Sequence, residues 1–218
     1  MTVLQKLFQR FLTPSRFKKK FEDKIRNLVN SNAEDWDFRA TKCAKSLLAA
    51  VCFRETALAS QRRQDSIIYQ PIGLYYSMFH MSMAMLWLNP RIRPEQLRNI
   101  HHKTLSNLVE NELVKKDFIE MSFYNTLISL RNLRESCNYQ FGYEENLDAL
   151  VRKAIKETDI SFSEAFHFIH QVLKASDSHF RVQVGIADGF GDDILDSYLT
   201  AKHKKKVFDY LVRNGLCA

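Results

Sequence analysis

Three polar side chains in the second half of the chain share a spacing that could support chemistry. Arg131, Arg134 and Asn138 follow one another at intervals of three and four residues, so a helix would place them on one face. A guanidinium offers a bidentate fork that suits a phosphate or the oxygen of a scissile bond. The plainer use of both arginines is structural, pairing with acids such as Glu120 or Glu135 to hold helices together. Other clusters carry less. His167 and His170 lie one helical turn apart with His179 beyond, but a metal ion would need a further ligand from another element. Their neighbours Phe162, Phe166, Phe168 and Ile169 favour a packed amphipathic helix. Asp188, Asp192 and Asp193 surround two glycines without the spacing of a calcium loop, and read as a turn. His80 sits in an apolar run and reads as a hydrogen-bonded core histidine. No phosphate-binding glycine loop, HExxH or GxSxG motif occurs.

The elements that would position these residues are helical. Gly and Pro are scarce, at 6 and 4, too few for the many turns of an all-β fold. Apolar residues recur at helical spacing over about 34–62, with Trp36, Ala40, Cys43, Leu47, Val51 and Leu58, and again over 103–116 and 117–138. The segment 70–88 is apolar nearly all round. No charge falls between Asp65 and Arg91, so length alone would permit a membrane span. Gln70, Pro71, Ser77, His80 and Ser82 interrupt it, and the centre of a bundle explains it better. Residues 144–157 read as one helix and 162–175 as another, with Ser161 and Glu164 as a capping box between them. The one strand expected is about 179–187, followed by two short helices.

Charge is concentrated at the ends. Residues 1–30 carry eight Lys or Arg against two acids, and 201–218 carry five against one, within a net charge of +7. Two short basic amphipathic helices, about 3–12 and 14–29, could lie on a membrane surface, attract nucleic acid or simply be solvated. Four cysteines form no CxxC pair, which suits reduced thiols and a cytoplasmic location. The expected organisation is a basic N-terminal segment over 1–30, a helical bundle over 31–175 and a C-terminal extension over 176–218.

Two segments resemble the HEPN family of bacterial toxins and defence proteins. YYSMFHMSMAML at 75–86 is similar to that family's central helix, in which paired tyrosines and a Phe-His step precede small and apolar residues. LRNLRESCNYQF at 130–141 is similar to its arginine-bearing segment. Between them, His101 and His102 open a helix where one branch often has a histidine. The resemblance spans about 34–157 and implies an antiparallel bundle of four or five helices, often paired about a two-fold axis. It also implies metal-independent ribonuclease chemistry, carried by an arginine, a short spacer and a histidine. Arg134 and the following Glu135 fit the start of that motif, but Tyr139 stands where the histidine belongs. A tyrosine, with a pKa of about 10, exchanges protons poorly at neutral pH. Phe141 stands where some family toxins carry a modifiable tyrosine, so that regulation does not carry over.

The expectation is therefore a mainly α protein, acting on RNA within a bacterial toxin or antiphage-defence system. Arg134 and Tyr139 are its candidate catalytic residues, and Arg131 and Asn138 its candidate phosphate or RNA contacts. It needs no cofactor or metal. Tyr139 lies five positions after Arg134, about 140° around a regular helix, so a shared site would require the helix to end there or a second chain of a homodimer to contribute. The alternatives are a non-catalytic module that binds a nucleotide or a protein partner encoded nearby, and a membrane-surface protein.

Overall fold

The computed structural model describes residues 19–60, 69–137 and 147–176. Among these the chain is a helical bundle with no strand. Its helices are α1 (Lys19–Ser31), α2 (Ala33–Ser60), α3 (Tyr69–Trp87), α4 (Pro94–Arg98), α5 (His102–Leu108), α6 (Met121–Glu135) and α7 (Leu147–Ala175). The basic helix expected over 3–12, the strand over 179–187, the acidic turn after it and the C-terminal helices lie outside the described residues, as does His179.

Helix α3 is the hub. It packs against α2, α6 and α7 at once, and its side chains are buried on nearly every side, including Leu74, Tyr75, Met78, Met81, Met85 and Leu86. A helix with no charged side chain has no face to give to water, so neighbours must cover it all round. No described helix is long and apolar enough to cross a membrane. In α2 the expected stripe of Trp36, Ala40, Cys43, Leu47 and Val51 is buried. Asn32 starts this helix, its side-chain oxygen accepting the backbone N–H of Asp35 at 3.1 Å, a bond that satisfies one of the otherwise unpaired first-turn donors.

Two contacts fix α2 and α3 as an antiparallel pair. At one end the Cβ-less Gly73 lets α3 approach the Ala57 side chain and the Phe53 carbonyl of α2; a Cβ built there would lie 2.9 Å from Ala57 Cβ. At the other end the buried Arg39 of α2 donates through Nη1 to the carbonyls of Trp87, Asn89 and Ile92, the last at 3.0 Å. Those carbonyls lie at the end of α3 and just beyond it, where no intrahelical donor remains. Asp35 neutralises the same guanidinium at 2.8 Å. The second basic helix of the N-terminal segment, α1, contributes to this core: Phe21 and Ile25 are buried, and the Phe21 ring lies 4.3 Å from that of Phe118 and 6.2 Å from that of Phe168.

Three details depart from expectation. Helix α5 widens into a π-helical turn over Val109–Val114, and the chain leaves it through Asp117 at φ 58°. The helix read as starting at 117 therefore starts at Met121. Residues 147–175 form one continuous helix. Ser161 does not cap a new one, because its hydroxyl donates back to the Glu157 carbonyl one turn earlier at 2.9 Å, a bond that helices accommodate. Glu164, expected in the same box, instead accepts the backbone N–H of Glu120, a first-turn donor of α6.

Gly73→Ala tests the α2–α3 contact. Alanine favours a helix by about 0.5–1 kcal/mol over glycine, whereas overpacking costs about 1–3 kcal/mol. With the nearest atoms a packed Cβ and a backbone carbonyl, overpacking should dominate. We expect a lower urea midpoint for Gly73→Ala, and an unchanged or raised midpoint would show that the helices separate freely.

Candidate functional site

The sequence pattern places arginines on α6, and the fold decides what they face. Arg134 is in the last turn of α6 and is only 6% exposed. No carboxylate among the described residues pairs with it. Its guanidinium carbon lies 5.0 Å from the centre of the Tyr75 ring and 5.9 Å from that of Tyr76, both on α3. Such cation–π contacts contribute about 0.5–2 kcal/mol and offset part of the cost of burying the charge. Nε of Arg134 is buried with no hydrogen-bond partner among the described residues. Arg131, one turn earlier, is half-buried and pairs with Glu135 at 2.9 Å. Arg131 thus pairs with an acid of its own helix, whereas Arg134 contacts α3 through rings and not through a carboxylate of the described residues.

The histidine beside Arg134 comes from another helix. His102, the first residue of α5, is 3.5 Å from Arg134 Nη1 through Nε2 and 2.5 Å from the Tyr75 hydroxyl through Nδ1. A guanidinium can only donate, so Nε2 is the acceptor. The imidazole proton then sits on Nδ1 and is donated to Tyr75 Oη. Three rings enclose His102, with centroids at 5.4 Å for Tyr75, 6.2 Å for Tyr76 and 5.2 Å for Phe79. Desolvation lowers the His102 pKa from the ordinary value, and Arg134 and then Arg131 lower it further, while Glu135 raises it. At neutral pH His102 is therefore a neutral imidazole with its Nε2 lone pair turned to a cation. Burial pushes the Tyr75 hydroxyl up to about 12, with Arg134 opposing. Tyr75 stays protonated and serves to orient the ring.

Of the sequence candidates, Arg134 and Arg131 lie at this cluster, whereas Asn138 and Tyr139 lie outside the described residues. The sequence reading missed Tyr75, Tyr76 and His102 as members of the site, although both tyrosines stand in the first segment that carries the family resemblance and His102 was noted between the two segments. Nothing in linear spacing links residues 75, 102 and 134; only packing of α3, α5 and α6 does.

Other features lead elsewhere. His80 is not the hydrogen-bonded core histidine expected. It is half-buried, stacks on Phe53 with centroids 5.4 Å apart and planes 5° from parallel, and makes no hydrogen bond among the described residues. No cluster of potential metal ligands occurs among the described residues, and His167 lies within hydrogen-bond distance of Gln171 on its own helix. A cleft of about 950 Å³ between α6 and α7 is lined by short polar side chains such as Ser122, Asn125 and Ser129, and contains neither His102 nor Arg134. No family model, curated protein or solved structure matches the chain.

The histidines set the response to acid. Burial lowers His80 from 6.5 to about 4, and His102 shifts in the same direction. The unfolded chain therefore binds these protons more tightly. The stability concerned is present above pH 6.5 and is lost as pH falls toward 4. Urea midpoints measured across this range should fall for the wild type and fall less steeply for His80→Phe; parallel curves would show that His80 does not contribute.

Proposed function

We propose that the Arg134–His102–Tyr75 cluster is a site for the phosphodiester of RNA, in a protein of a bacterial toxin or antiphage-defence system, and that it supports slow, metal-independent cleavage. The observation that carries this reading is a buried guanidinium with no carboxylate partner among the described residues, set directly beside an imidazole of lowered pKa. A docked phosphate would supply an anion to Arg134. Its negative charge would also offset the field of the two arginines on His102 and raise the basicity of Nε2.

The chemistry follows from those atoms. His102 Nε2 takes the proton of a ribose 2′-hydroxyl, and the 2′-oxygen attacks the adjacent phosphorus. Arg134 stabilises the charge that gathers on the phosphoryl oxygens, a role for a fixed cation that needs no metal. The bond to the 5′-oxygen breaks, that oxygen takes a proton from water, and a 2′,3′-cyclic phosphate remains. Tyr75 keeps Nε2 as the lone-pair side of the ring. His102 thus takes the proton-transfer role that the linear motif would give to residue 139, and Arg131 contributes positive charge at the edge of the site.

Incubation of the purified protein with RNA tests this. Cleavage should survive EDTA and leave cyclic phosphate ends. His102→Ala and Arg134→Ala should each lower the rate by about 10²-fold or more, in keeping with the loss of a general base or an electrostatic donor. Tyr75→Phe should lower it less and shift the pH profile. Equal cleavage by the wild type and Arg134→Ala would refute the site. RNA binding that depends on Arg134 without cleavage would assign a non-catalytic role, and binding of neither RNA nor nucleotide would leave a protein-partner module.

A further inference from the structure

Where the second half of α3 meets α4 and the residues after it, the bundle has an open cavity of about 460 Å³, lined among others by Phe79, His80, Met83, Trp87, Arg98 and His101. Its volume falls within the range of about 300–1,000 Å³ typical of small-molecule sites. Neither Arg134 nor His102 lines it, so it is a place distinct from the phosphodiester site. Its wall is apolar and closed, since Met83, Trp87 and Leu97 are buried. An apolar wall with a few polar groups is the usual make-up of a pocket for a small organic ligand.

The rings of the wall are fixed at angles by their neighbours. Phe79 meets His80 edge to face, with centroids 5.5 Å apart and planes at 80°. Trp87 is held in the same manner by Phe38, at 5.8 Å and 88°, and His80 lies flat on Phe53 at 5.4 Å. A planar ring that enters this corner can stack on one surface and meet another edge-on, the two arrangements that aromatic pairs prefer. Met83 adds a thioether, which also packs well against rings.

Charge decides what the ring must carry. Arg98 is exposed at the end of α4, and the residues lining the cavity include no Asp or Glu. His80 brings no charge at neutral pH, because burial lowers its pKa to about 4. The mouth is therefore positive, and a guanidinium matches a carboxylate through two parallel N–H donors. We propose that this cavity binds a small planar aromatic carboxylate, with its ring against Phe79, His80 and Trp87 and its carboxylate at Arg98. An aliphatic acid would forfeit the ring contacts, and a neutral aromatic molecule would forfeit the guanidinium.

Calorimetric titration of the full chain tests this, with the Met83 methyl resonance reporting where the ligand sits. The probes are 2-naphthoate, 2-naphthamide, which keeps the rings without the charge, and cyclohexanecarboxylate, which keeps the charge without an aromatic ring. 2-Naphthoate should shift the Met83 signal and bind about tenfold or more tightly than either of the others, as loss of a charged hydrogen bond or an aromatic contact would predict. Arg98→Glu, an exposed substitution that leaves the core intact, should bring 2-naphthoate down to the level of the amide without changing the amide. His80→Ala should weaken both ring-bearing probes. Lys174→Glu removes a positive charge from α7, which lends the cavity no residue, and should change nothing. Equal affinity for the three probes, no saturable binding, an unmoved Met83 signal, or unaltered 2-naphthoate binding by both cavity variants overturns the site. An equal loss in Lys174→Glu and Arg98→Glu would show only attraction to the net charge, and overturns it too.

Discussion

The structure depends on wrapping a 19-residue helix that carries no charge. Helix α3 cannot turn a face to water without exposing Leu, Met or Tyr, and burial of each such side chain is worth about 1.5–3 kcal/mol. It is therefore surrounded by α2, α6 and α7. Gly73 sets how closely α2 approaches at one end, and Arg39 closes the other end by donating to the carbonyls that follow α3. With α3 enclosed, the directions in which Tyr75, Tyr76 and Phe79 leave it are fixed, and these rings make the floor of the site.

That floor explains how a cation survives inside the bundle. A buried arginine usually requires a carboxylate. Arg134 has two aromatic faces and an imidazole nitrogen in place of one. Among the described residues no carboxylate pairs with Arg134, whereas Arg131 and Arg39 pair with Glu135 and Asp35. Burial, and then the field of Arg134 and Arg131, lowers the pKa of His102 beside it.

Much of the helical architecture was legible in the sequence, because apolar spacing in α2 and the unbroken apolar surface of α3 report burial directly. Boundaries were less so. The reading split α7 in two at Ser161, since a Ser with Glu three residues on is a capping signal wherever it occurs; the structure shows the hydroxyl bonded within a continuous helix and the carboxylate serving α6 instead. The start of α6 was placed early because a left-handed residue at Asp117 and a π-helical turn before it depend on packing against neighbours.

The sequence by itself determined that the chain is helical, that α3 is central, and that Arg131 and Arg134 share a face. Periodicity is a local property, and each of these follows from residues within a few turns of one another. Tertiary structure alone decided which arginine pairs with a carboxylate among the described residues, and which histidine stands beside the other. Linear spacing directed attention to position 139, five residues from Arg134, whereas the imidazole in contact with it comes from position 102. Residues 75, 102 and 134 lie on three helices, and only the packing of those helices around α3 brings the hydroxyl, the imidazole and the guanidinium within hydrogen-bonding reach.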